Sequence, residues 1–331
     1  MPLFGPPDVE KLKARRDVQG LIDALGYNKG TRESADVRYY AAEVLGLIGD
    51  RRAVEPLLGV LWDDSLDVRW VAAEGLGRLR DPRAVEPLGE LLKAHLAYAD
   101  DSFARLLQGI IAALGRLGDR RAVQPLLAVF ESLDENLRHE AADALDQVGW
   151  TPDSRSDGAS YWAVRHDWLK CIDIGAPAVG PLSALLISAD AATRMRAVET
   201  LGEIGGPQAA QVLARCLRGW RLTKRDLVVF ALARTGDPVA AHALVECLSD
   251  YDIRPAAMKA LSDMGELAVR PLMQALESPD VDQVDAAVEA LAGMGPTAFG
   301  LLRGYLDGPG QSAPLAVRKL VADALTRLLN A

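Results

Sequence analysis

One phrase recurs along this chain and decides most of what it can fold into. Arg52-Ala53-Val54-Glu55-Pro56-Leu57 returns at Arg83-Ala84-Val85-Glu86-Pro87-Leu88 and at Arg121-Ala122-Val123-Gln124-Pro125-Leu126. Shorter copies begin at Ala178 and Ala268, and copies without the proline begin at Ala209, Ala240 and Thr297. A second phrase lies between them. Val37-Arg38 through Gly49-Asp50 aligns with Val68-Arg69 through Arg80-Asp81, and further copies open at Leu137-Arg138, Thr193-Arg194, Ile253-Arg254 and Val317-Arg318. Within each phrase the apolar residues fall at i, i+3, i+4 and i+7, the spacing of one helix face. Proline early in the first phrase sits where a helix tolerates it. Gly-Asp at 49–50, 118–119 and 236–237 suits a glycine helix end followed by an aspartate cap for the next helix. The unit is therefore predicted as a helical hairpin of about 31 residues, too small to bury its own apolar face, so copies must stack. The expected fold is all-α: an α-solenoid superhelix of nine or ten antiparallel helix pairs.

These phrases resemble HEAT repeats, specifically the short prokaryotic HEAT-like repeats of the phycobilisome-lyase type, over roughly residues 17–149 and 176–329. The motif is a Pro-bearing first helix, an acidic turn, then Val-Arg opening the second helix. Its arginine is filled here by Arg38, Arg69, Arg138, Arg194, Arg225, Arg254 and Arg318, while Leu107 and Val284 replace it in two copies. The resemblance implies that these arginines form a structural ladder, each bonding the turn of a neighbouring repeat. It also implies that second helices line a concave groove. The groove candidates are then Tyr39, Tyr40 and Glu43; Trp70, Glu74 and Arg78; Gln108 and Arg116; His139, Glu140, Asp143 and Gln147. Further along come Met195, Arg196, Glu199 and Glu203; Asp226, Phe230 and Arg234; and Lys259 and Asp263.

Departures from the period set the expected organisation: a capping segment at 1–16 containing a short helix over Asp8–Arg15, repeats at 17–149, an irregular insert or degenerate repeat at 150–175, and repeats at 176–331, all in one continuous solenoid. The insert begins with the polar run 150–158 and holds three of the six tryptophans, at 150, 162 and 168.

Composition narrows the function classes. Lys and Arg total 37 against 46 Asp and Glu, a net charge of −9, which argues against nucleic acid or anionic membrane as a partner. No run approaches the 18 apolar residues of a membrane span. The start, Met1-Pro2-Leu3-Phe4-Gly5-Pro6-Pro7, lacks the pattern of a secretory signal. Three cysteines, at 171, 216 and 247, suit a reducing compartment, so a cytoplasmic location is expected. Aromatic content of 5% fits helices brought close by Ala and Gly.

No motif in the sequence assembles a catalytic constellation. His95, His139, His166 and His242 are scattered. His139-Glu140 is one such pair where HEAT-like di-iron hydroxylases need several facing each other. His166-Asp167 has no nucleophile placed by a motif. Cys216 and Cys247 share a phase one repeat apart, but no second pair completes a tetrahedral metal set, and core packing is the expectation. Arg215, Arg218, Arg221, Lys224 and Arg225 beside Trp220 form a basic cluster like that of HEAT-like DNA glycosylases. The reading is a chain that is not an enzyme, with no catalytic residue, metal or cofactor. It is a scaffold or adaptor whose groove takes a protein or peptide with basic and apolar groups. Tyr39, Tyr40 and Trp70 would face solvent at an aromatic end, unless Tyr39 and Trp70 pack on the capping helix, and Glu140, Asp143, Glu199 and Glu203 would make an acidic middle. The alternatives are a subunit of a bilin lyase-type or related protein-modifying complex and, more remotely, a HEAT-like DNA-binding or glycosylase protein.

Overall fold

The computed structural model describes residues 6–96, 101–188, 190–219 and 224–330. These are helical hairpins throughout, with no strand among the described residues. The chain divides into two compact units, 1–153 and 154–331.

Unit 1 opens with α1 (Val9–Arg15), capped by the Asp8 carboxylate on the Lys11 N–H, which packs on α2 (Val18–Leu25) and α3 (Arg32–Ile48). The pairs α4 (Val54–Gly59) and α5 (Leu66–Leu79), α6 (Val85–Leu96) and α7 (Ala104–Leu117), and α8 (Val123–Leu127) and α9 (Glu135–Val148) follow. Second helices stack in order, α3 on α5 on α7 on α9. Small residues permit the approach: a Cβ on Gly46 would stand 2.7 Å from the Gly75 Cα, and one on Gly77 would stand 2.8 Å from the Ala113 Cα. Between them lie fully buried aliphatics such as Leu45, Leu57, Leu76, Leu88 and Leu114, each stabilising the stack by about 1.5–3 kcal/mol. The chain turns between hairpins as its sequence dictates. Gly49 and Gly118 end helices with φ of 77° and 64°, and Asp50, Asp81 and Asp119 cap the following 3-10 turns through the N–H of Arg52, Arg83 and Arg121.

Unit 2 is built the same way. Its pairs are α10 (Ser156–Val164) with α11 (Trp168–Ile174), α12 (Val179–Leu185) with α13 (Ala191–Ile204), and α14 (Gly206–Gly219) with α15 (Arg225–Arg234). Then come α16 (Pro238–Glu246) with α17 (Arg254–Asp263), α18 (Glu266–Ala275) with α19 (Val281–Gly293), and α20 (Pro296–Asp307) with α21 (Leu315–Asn330). Residues 156–174, irregular in sequence, form a pair that stacks like the others: α10 packs on α12 and α11 on α13. Cys171 and Cys216 are buried, and burial pushes the Cys171 thiol up to about 11. No helix among the described residues is long and apolar enough to cross a membrane.

The repeat arginines depart from a uniform ladder. Arg69, Arg138, Arg194 and Arg254 each donate to a carbonyl six residues upstream, at Asp63, Ser132, Ser188 and Leu248, which is the turn of their own hairpin. Arg38 and Arg225 reach forward to the next turn, to Asp63 and Asp250. Arg69 also reaches forward, with Nη1 3.0 Å from His95 Nε2. Arg318, on the surface of α21, is exposed. The reason is local: a guanidinium at the start of a second helix meets the carbonyls of the turn before it, and spans repeats only where an acceptor follows. A second ladder runs along the first helices, from Arg83 to Glu55 at 2.6 Å and from Arg121 to Glu86 at 3.0 Å. Its outer arginine Arg83 also holds the Asp81 carboxyl down at about 2.

Candidate binding groove

In unit 1 the second helices line a groove of about 470 Å³ walled by Trp70, Glu74, Arg105, Gln108, Glu140, Asp143 and Gln147. Adjoining it, Tyr39, Tyr40, Asp67 and Arg105 enclose about 260 Å³ more. Both lie on α3, α5, α7 and α9, where the expected concave residues of this unit were placed. Their environments differ from the expectation. Only Tyr40 is solvent-facing, at 51% exposure. Tyr39 and Trp70 are half-buried and nearly parallel, with ring centroids 6.3 Å apart at 22°. The Arg105 guanidinium lies 3.7 Å over the Trp70 ring and pairs with Asp67 at 3.2 Å. Gly109 leaves the space Trp70 occupies, since a Cβ there would stand 2.5 Å from its Cδ1. The rings thus pack against each other and an arginine, while Tyr40 sits edge-on to Tyr39 at 5.2 Å. A cation over a tryptophan face stabilises such a stack by about 0.5–2 kcal/mol.

The charges at the other end are unequal in the same way. Glu74 is engaged by Arg78 at 3.3 Å and by Arg116 at 3.7 Å. Glu140 has no ion pair with any described cation. Burial, with the charges of Asp134 and Asp143 beside it, raises its carboxyl above the usual range. Glu43 is half-buried beside Tyr39, and His139 is half-buried one residue before Glu140.

Unit 2 has its own groove of about 560 Å³, lined by Trp168, Ile172, Arg196, Glu199, Thr200 and Glu203 among others. The acidic reading of its carboxylates is corrected here: Glu199 pairs with Arg196 at 2.8 Å and Glu203 with Arg234 at 3.3 Å. Phe230 is half-buried within α15. The basic cluster is corrected likewise, because Arg218 pairs with Glu246 at 3.2 Å and Arg225 with Asp250 at 2.7 Å. Trp220 and Arg221 lie outside the described residues. Two features escaped the sequence reading. The Glu203–Arg234 pair had a signal in its spacing of one repeat. Arg105, the residue that organises the aromatic end, had none, since it follows the lengthened link of the third hairpin.

Comparison with known families decides what kind of repeat this is. The family model for HEAT repeats matches residues 19–98 and 220–292, and the model for the PBS lyase HEAT-like repeat matches residues 107–132 and 193–219. The chain is a HEAT-like repeat protein. No curated protein sequence matches it. Among solved structures, this HEAT-like chain is similar to human deoxyhypusine hydroxylase in complex with glycerol, at 20% identity and a TM-score of 0.32, over 99% of this chain and 100% of the other. It is also similar to the CpcE and CpcF complex of phycocyanin lyase from Nostoc sp. PCC7120, at 22% identity and a TM-score of 0.38, over 80% and 87%. The expectation that the chain is not an enzyme is corrected by these neighbours, both of which carry the names of enzymes. The missing catalytic motif does not exclude catalysis.

Proposed function

We propose that this HEAT-like chain is a scaffold whose unit 1 groove, from Tyr40 to Glu140 and Asp143, holds a partner protein or peptide through its basic and apolar groups. The observation that carries the reading is Glu140. A half-buried carboxylate beside a second carboxylate, with no described cation to offset it, costs the free protein stability that an incoming lysine or arginine restores. The exposed Tyr40 ring supplies the apolar contact, and aromatics of this kind anchor interfaces. A photocrosslinking residue at position 108 is expected to capture a partner that the same residue at position 55, on a first helix, does not. Tyr40→Ala with Glu140→Gln then weakens that partner's affinity by about tenfold or more. Equal capture from both positions, or unchanged affinity, contradicts the reading.

A second reading takes support from the two segments that match the PBS lyase HEAT-like repeat. The scaffold is then one subunit of a protein-modifying complex of lyase type. Its test is spectroscopic: bilin added to the chain with its captured partner changes visible absorption if the reading holds, and leaves it unchanged if not.

A further inference from the structure

We propose that the turn edge of unit 2 is a second docking surface, one that takes a basic amphipathic helix of a partner protein. Three successive turns carry a large apolar residue at one register position. Val281 is the first residue of α19, after its cap Asp280, and Leu315 is the first residue of α21. Tyr251 stands three residues before Arg254, as Val281 stands three before Val284 and Leu315 three before Arg318, in the turn closed by the Arg254 N–H donating to the Asp250 carbonyl. The same register holds the small Ala191 in the hairpin of α12 and α13, and in the hairpin of α14 and α15 it lies outside the described residues. Tyr251, Val281 and Leu315 are 70%, 52% and 75% exposed. Single exposed apolar residues are ordinary, but three at one register of successive repeats line up along one edge, and exposed apolar patches mark interaction sites.

The edge is held in place by hydrogen bonds between repeats. Tyr251 Oη donates to Asp282 at 2.8 Å and Ser249 Oγ to Asp280 at 2.7 Å, each crossing from one turn to the next. Further on, Tyr305 Oη donates to the Leu276 carbonyl at 3.3 Å. A surface ordered before binding loses little entropy when it binds.

Charge selects the occupant. Exposed Asp252, Glu277 and Asp282 flank Tyr251 and Val281. Two cations of this turn are engaged elsewhere: Arg254 on the Tyr251 ring at 4.2 Å and on the Leu248 carbonyl, and Arg225 on Asp250 at 2.7 Å. Exposed Arg318 and Lys319 lie just beyond Leu315, so the acidic stretch ends there. The partner helix therefore lays its basic half over Tyr251 and Val281. Spacing selects a helix: neighbouring repeats pack about 8–10 Å apart, and a helix advances about 10.5 Å in seven residues. Apolar side chains at every seventh position then meet one turn each.

The test is fluorescence anisotropy of the full chain with a labelled synthetic helix of about 22 residues, leucine on a seven-residue repeat and lysine concentrated in one half. Saturable binding is expected, weakened about tenfold by Y251S/V281S/L315S and severalfold by D252N/E277Q, both with native circular dichroism. A groove variant, Y40A/E140Q, leaves this binding unchanged, which separates the two surfaces. No saturable binding overturns the proposal, as does equal binding of a peptide of the same composition without an apolar face. It is also overturned if light scattering finds self-association that Y251S/V281S/L315S abolishes, since a second copy then covers the edge.

Discussion

In unit 1 the Arg38 guanidinium is buried, with two nitrogens on the Asp63 carboxylate at 2.6 and 2.8 Å and a third on the Tyr27 carbonyl at 3.1 Å. In unit 2 the residue of the same motif position, Arg225, reaches Asp250 with one nitrogen at 2.7 Å, and the two side chains remain 25% and 35% exposed. Unit 1 continues the chain inward: Asp63 offers its carbonyl to Arg69, and Arg69 reaches His95, which is buried against Phe103 with ring centroids 4.7 Å apart. Unit 2 stops at Arg254 and turns its polar and apolar groups outward at the same turns. One repeat motif thus serves two ends. Where the turn is buried, its charges couple consecutive hairpins; where it is open, it becomes a surface.

Removing the arginine in each place separates these roles most strongly. Arg38→Ala leaves a buried carboxylate uncompensated and is expected to cost about 3–5 kcal/mol, read from urea unfolding or from hydrogen exchange in α3 to α5. Arg225→Ala, at a half-open site, is expected to cost about 1 kcal/mol or less by the same readout in α15 to α17. Equal losses would end the distinction. The close helix crossing gives the next effect. Gly46→Ala drives a Cβ into the Gly75 backbone and is expected to destabilise unit 1 by about 1–3 kcal/mol. Gly180→Ala in α12, with nothing within 4 Å, stabilises unit 2 by about 0.5–1 kcal/mol.

Acidity sharpens the same contrast. Burial, then the Arg69 charge, lowers the His95 pKa, so the folded state holds this ring neutral. Unit 1 stability is therefore full above the ordinary histidine value of about 6.5 and declines as pH falls below it. In unit 2 the bond from Arg225 lowers the Asp250 carboxyl, so its contribution persists until pH falls below about 4. Hydrogen exchange between pH 7 and 5 should loosen α5 and α6 while leaving α15 to α17 protected, and His95→Gln should remove that difference. The smallest effect concerns Glu140: because burial and like charge raise its pKa, Glu140→Gln is expected to leave the melting temperature unchanged or slightly higher.

The fold was legible because a 31-residue period, a proline in the first turn and Gly-Asp at the hairpin ends each constrain the backbone locally, and all agree. The site was legible in its helices and less so in its chemistry. Sequence position puts Tyr39 and Trp70 on the groove side of second helices, but not the Arg105 side chain that covers them, since Arg105 follows the lengthened link of the third hairpin. Glu199 and Glu203 read as acid until Arg196 and Arg234 are seen beside them. His95 read as one scattered histidine, because only stacking brings Arg69 to its ring.

Glu140, half-buried and with no described cation beside it, is the group proposed to meet a cation of the partner. This is tested most directly by the captured partner's Kd for the intact chain and for Glu140→Gln, each measured at low and at physiological salt. The account predicts affinity weaker by about tenfold or more at low salt, with most of the salt dependence gone. An unchanged Kd with an unchanged salt slope would contradict it.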